Sequence, residues 1–114
     1  MFVVNYVSVV DYRDITCDGI NSTKVNNNSG VDFYNAISDI SSAINSLRPN
    51  GGGDGPETAI DALGAAYHLG YRDTASKYIF LITDANYKNN NNYGITSMSQ
   101  IASRLESKEI VTSV

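Results

Sequence analysis

The sequence predicts an α/β fold built on an open, mostly parallel sheet with flanking helices. Three observations carry this expectation. Two apolar runs rich in β-branched and aromatic residues, at 2–12 and 78–82, have the composition of buried strands. The segments at 32–47, 58–71 and 97–105 repeat apolar residues with the period of a helix. The resulting order is strand, helix, helix, strand, helix, strand, the alternation that builds parallel sheets through crossover helices.

Each element has its own signature. The run Phe2-Val3-Val4-Asn5-Tyr6-Val7-Ser8-Val9-Val10-Asp11-Tyr12 reads as a buried strand. Residues 15–31, rich in Asn, Ser, Gly and Thr, predict a loop with room for a short edge strand. From Asp32 the period changes. Phe33, Ile37, Ile40, Ile44 and Leu47 fall on one face of an amphipathic helix, which Pro49 and Gly51 end. After the Gly-rich loop at 50–55, a helix over about 58–71 carries Ala59, Ile60, Ala62, Leu63, Ala65 and Ala66, small enough for close packing on a sheet.

Tyr78-Ile79-Phe80-Leu81-Ile82 then predicts a central parallel strand covered on both faces, with Asp84 just past its carboxyl end. Residues 85–95 form a polar loop containing four consecutive Asn. Ser97-Met98-Ser99-Gln100 has the form of a capping box opening a third helix, with Met98, Ile101 and Leu105 on one side. Residues 109–114 read as a last strand. No repeat or second domain is visible, so residues 1–114 are expected to form one partial domain. Its sheet looks unfinished, which predicts exposed apolar surface and self-association or marginal stability.

Composition narrows the function classes. At 114 residues, with 42% apolar and 18% charged residues, the chain has material for one small core. A net charge of −4 offers no basic face for nucleic acid. No apolar run approaches the roughly 20 residues of a membrane span, so no membrane insertion is expected. Cys17 is the only cysteine, which excludes an intrachain disulfide and a cysteine zinc cluster. The first residues lack the basic region and length of a signal peptide. Asn21-Ser22-Thr23 and Asn27-Asn28-Ser29 are formal glycosylation sequons, but with 13 Asn in the chain such matches arise by chance.

Ligands of open α/β sheets bind in the crevice beyond the carboxyl ends of the strands. Two places put carboxylates there. In Gly51-Gly52-Gly53-Asp54-Gly55-Pro56-Glu57, Asp54 and Glu57 stand three apart before a helix. Asp54 could be an N-cap with Glu57 completing a capping box, or Gly55 could cap with Pro56 in the first helical position. Asp84, in Thr83-Asp84-Ala85, could be a turn former. The pair matters more than either member. Two acidic sites reaching one crevice from different segments repel unless a cation lies between them, and hard oxygen ligands suit Mg²⁺, Mn²⁺ or Ca²⁺.

At these residues the sequence resembles the von Willebrand factor A-type domain. Asp54-Gly55-Pro56-Glu57 before an Ala/Ile-rich helix, then Phe80-Leu81-Ile82-Thr83-Asp84-Ala85, is similar to the variants in hemicentin-like proteins and the integrin β subunit I-like domain. Val7-Ser8-Val9-Val10-Asp11-Tyr12-Arg13-Asp14 fits as well. The resemblance implies a Rossmann-like fold and a metal-ion-dependent adhesion site in a non-enzymatic, extracellular or cell-surface binding module. In that site an acidic residue of a protein ligand completes the coordination of the cation. Glu57 matches the Glu ligand and Asp84 the Asp after the strand. For a second cation the resemblance implies Asp14, Asp54, the Pro56 carbonyl and Glu57, although Gly52 stands where the integrin β-like version has Asn. The family's Asp-x-Ser-x-Ser motif occurs nowhere in the 114 residues. The sequence therefore resembles a domain truncated at both ends, and divalent binding by this chain is expected to be weak or absent.

Rival readings find less support. A metal-dependent hydrolase needs an activated nucleophile or a metal-bound water beside a base, and no Ser/His/Asp order or second His is present. His68 has no His at i±3 or i±4 and reads as a packing or surface residue, and Cys17 has no nearby base. The loop at 51–55 lacks the pattern of a phosphate-binding loop, and its acidic residues would repel a phosphate.

Overall fold

The computed structural model describes residues 5–26, 30–48 and 56–114. Eight elements follow in order among them. β1 (Val9–Asp11) leads to α1 (Ile15–Asp18), β2 (Lys24–Asn26) and α2 (Ile37–Asn45). Then come α3 (Ala59–Tyr67), β3 (Lys77–Phe80), α4 (Met98–Ser107) and β4 (Ile110–Ser113). The class is mixed α/β, an incomplete Rossmann-like arrangement. The strands form two small sheets rather than one. β1 and β2 pair antiparallel, with Val9 opposite Asn26 and Asp11 opposite Lys24. β3 and β4 pair parallel, with Lys77 opposite Ile110 and Phe80 opposite Ser113. α4 is the crossover that a parallel pair requires.

α3 is the centre of the molecule, and Ala59 through Ala66 are all buried. Ile60 and Leu63 of α3, Ile101 and Leu105 of α4, Ile110 of β4 and Ile95 form the core. Each fully buried side chain of this kind contributes about 1.5–3 kcal/mol. Ser97 caps α4 by accepting the Gln100 N–H at 3.1 Å. The Gln100 side chain reaches back to the Thr96 N–H at 2.8 Å, so the expected box closes one residue earlier than its usual form. On α3, a Cβ at Gly64 would run into the Tyr93 ring, so glycine there admits the close approach of the 91–95 loop.

Three expectations need correction. The run expected at 78–82 forms a strand only as far as Phe80. Among the described residues it pairs with β4 alone rather than standing at the centre of a sheet, and only one of its faces is covered. Ile79 and Leu81 pack on the core, while Tyr78, Phe80 and Ile82 are 62%, 76% and 87% exposed, with Val111 beside Tyr78 also exposed. The continuous apolar run reports two apolar faces; it does not supply a neighbour for each. The helix expected from Asp32 begins only at Ile37, and its apolar stripe faces solvent. Ile37 and Ile44 are 83% and 51% exposed, and Ala43 is the only buried residue of α2. Phe33 stands before the helix and meets Tyr71 edge-on at 5.4 Å. The strand expected at 2–12 is described as the shorter, half-buried β1; residues 1–4 lie outside the described residues.

Candidate functional site

The site is organised by the amino end of α3. Thr58 is its N-cap residue, yet the hydroxyl does not bond within the helix. It donates instead to the Arg13 carbonyl at 2.7 Å and accepts the Ile15 N–H at 3.1 Å. Thr58 is fully buried, so these two bonds fix the segment after β1 against the start of α3. Because Thr58 holds the cap position, Pro56 and Glu57 precede the helix. Neither the capping box nor a first-turn proline describes them.

Glu57 belongs to a short parallel bridge with Tyr87. Its N–H donates to the Asn86 carbonyl at 2.8 Å, and its carbonyl accepts the Lys88 N–H at 2.8 Å. The turn after β3 is thereby folded back beside Glu57. That turn is closed locally by Thr83, whose hydroxyl accepts the Ala85 N–H at 3.3 Å. Asp84 is exposed within it.

The Tyr12 phenol brings these segments together. Burial raises its pKa above the ordinary value, and the negative charges of Glu57 and Asp84 raise it further, while a hydrogen bond with the Thr83 side chain acts the other way. The Thr83 side chain thus meets the phenol just past the carboxyl end of β3, and the charges of Glu57 and Asp84 both reach it. Pro56 is half-buried immediately before Glu57. Asp54 lies outside the described residues.

Asp14 has a different environment. It is the N-cap of α1 and has no exposure. One carboxylate oxygen accepts the Thr16 N–H at 2.9 Å and the Thr16 hydroxyl at 2.7 Å. The other accepts the Lys88 ammonium at 2.6 Å. Burial pushes the Asp14 carboxyl up. Lys88, the Thr16 hydroxyl and backbone, and Cys17 together outweigh it and hold the group well below the usual carboxylate range.

A hard divalent cation finds suitable oxygens at Glu57, Asp84 and the Thr83 hydroxyl. Among the described residues, however, no group of three or more His, Cys, Asp or Glu is gathered so as to hold a metal ion. The donors are right in kind and few in number. The second cation implied for Asp14 does not fit, because an ammonium already occupies that carboxylate.

Sequence reasoning did not single out Lys88, Thr58 or Asp61. A hydroxyl residue just before an Ala-rich helix is a local signal for Thr58. Asp61 is buried in α3 and accepts the Asn92 N–H at 2.7 Å, pinning the polar loop after β3 to the helix. Lys88 carries no local signal, since its partner is 74 residues away.

No curated protein and no solved structure matches the chain. A family model described as von Willebrand factor A domain matches residues 24–114, well over half of the sequence. The matched span contains Glu57, Thr83 and Asp84, whereas Tyr12 and Asp14 precede it. The mixed order of strands and helices agrees with that match: the chain belongs to the von Willebrand factor A domain family.

Proposed function

We propose that the chain is a metal-assisted protein-binding module whose contact point is the crevice around Glu57, Thr83 and Asp84. Domains of this family are in general protein-interaction or adhesion modules and typically not enzymes. The observation that carries the finer reading is the backbone bridge that lays residues 86–88, just past Asp84, against Glu57, two segments far apart in sequence. Both charges are also felt at the Tyr12 phenol. Two carboxylates so placed repel each other, and a hard cation between them relieves that repulsion.

Glu57 and Asp84 would hold Mg²⁺, Mn²⁺ or Ca²⁺, which when bound offers a free coordination position to an acidic residue of a protein ligand. The backbone bridge between Glu57 and Tyr87 keeps the two carboxylate-bearing segments together. Location outside the cell or on its surface suits such a module. Among the described residues no helix is long and apolar enough to cross a membrane. A second kind of association, between copies of this chain, would use the exposed face of Tyr78, Phe80, Ile82 and Val111.

The test is calorimetric titration of Mn²⁺ into the chain, Glu57→Ala and Asp84→Ala. Weak binding is expected for the unaltered chain, and at least a tenfold loss in each variant. Unchanged binding in both variants, or no binding by the unaltered chain at millimolar Mn²⁺, would leave the two carboxylates as turn formers.

A further inference from the structure

Lys88 joins three segments, two through its side chain and backbone and the third by its own place in the chain. Its ammonium donates to Asp14 at 2.6 Å and to the Thr16 hydroxyl at 2.8 Å. Its backbone N–H donates to the Glu57 carbonyl at 2.8 Å. The start of α1, the Glu57 segment and the turn after β3 therefore meet at one residue. The Asp14 carboxylate is fully buried, so it needs a permanent positive partner. A chain-borne ammonium meets that need at every cation concentration.

We infer that Lys88 is a built-in cation: it closes the Asp14 position to metal and positions Glu57 without a second divalent ion. Both oxygens of Asp14 are engaged, one by Thr16 and one by Lys88, so a divalent ion could enter only by displacing the ammonium. Lys88 is a positioning residue. It sets Glu57 through the backbone while its side chain anchors that backbone to α1. The inference is independent of any cation held by Glu57 and Asp84.

The experiment removes the ammonium and asks whether metal can replace it. Lys88→Met is made in an Asp84→Ala background, so that a cation between Glu57 and Asp84 cannot contribute. Melting temperature is followed against Mn²⁺ and Ca²⁺, starting from EDTA. Asp84→Ala alone should not respond. The Lys88→Met, Asp84→Ala variant should melt lower in EDTA and rise on the order of 10 °C at about 100-fold excess over Kd. Adding Asp14→Asn should abolish that rise. Lys88→Arg in the same background should stay close to the parent and ignore metal. If the Met variant is unfolded in EDTA, circular dichroism over the same titration should show it refold. A Met variant that neither rises nor refolds with metal would overturn the inference. So would a cation response through Asp14 in the variant that keeps Lys88.

Discussion

Asp14 and Asp84 carry the same group near the same helix end, and the molecule treats them in opposite ways. Asp14 is buried, with both oxygens engaged by the chain's own donors. Asp84 is exposed in the turn after β3, and its charge reaches the Tyr12 phenol. A carboxylate taken out of water must bring its partner with it, and this makes Asp14 part of the framework. A carboxylate left at the end of a strand pays no such cost, and it remains available to something outside the chain. The von Willebrand factor A resemblance alone would have made both of them ligands.

The largest break in this comparison should come from Lys88. Lys88→Met leaves a buried, uncompensated carboxylate and should destabilise the fold by about 3–5 kcal/mol. Asp84→Asn should stay within about 0.5 kcal/mol of the parent. Urea denaturation in EDTA measures both, and equal losses would erase the distinction.

The same contrast of buried and exposed runs through two apolar stripes. Ile60 lies in the core and Ile37 in solvent. Ile60→Ala should cost about 2–5 kcal/mol, and Ile37→Ala less than about 0.5 kcal/mol. A large loss at Ile37 would mean that α2 is covered in solution.

Acid should sharpen the comparison further. Asp14 sits below its ordinary value of about 3.9 in the folded chain. Its contribution is therefore fully present above that pH and fades as pH falls through the lower, folded value. Urea midpoints should drop below about pH 4 in the parent. Lys88→Met, which removes the main charge partner, should flatten that drop. An identical drop in both would assign the acid sensitivity to other carboxylates.

The smallest effect concerns the exposed sheet face. Phe80→Glu should leave stability nearly unchanged and reduce concentration-dependent association in sedimentation. Association unaffected by the substitution would place it elsewhere.

The parts of the fold that were readable are those with local causes. The Ser97 cap and the Ala/Ile face of α3 follow from neighbours within a turn, and both stand where the pattern put them. The run at 78–82 announced a strand, but which surfaces cover a strand depends on elements far away in sequence. α2 shows the same limit, because an apolar stripe at helical spacing does not guarantee a partner. α1, four residues long, is too short for periodicity to register. In the site, Glu57 and Asp84 were visible as carboxylates flanking a helix and a strand end. The fate of Asp14 was not, because it depends on Lys88 across 74 residues of chain.

The most direct measurement titrates Mn²⁺ calorimetrically into two single variants, Asp14→Asn and Asp84→Asn, beside the parent chain. If the exposed carboxylate is the ligand and the buried one belongs to the framework, Asp84→Asn weakens Mn²⁺ binding at least tenfold. Asp14→Asn, checked as folded, then leaves it within about threefold, a difference of less than about 0.7 kcal/mol. A loss at Asp14 with none at Asp84 would contradict the account, since the ion would then be held where Lys88 now stands.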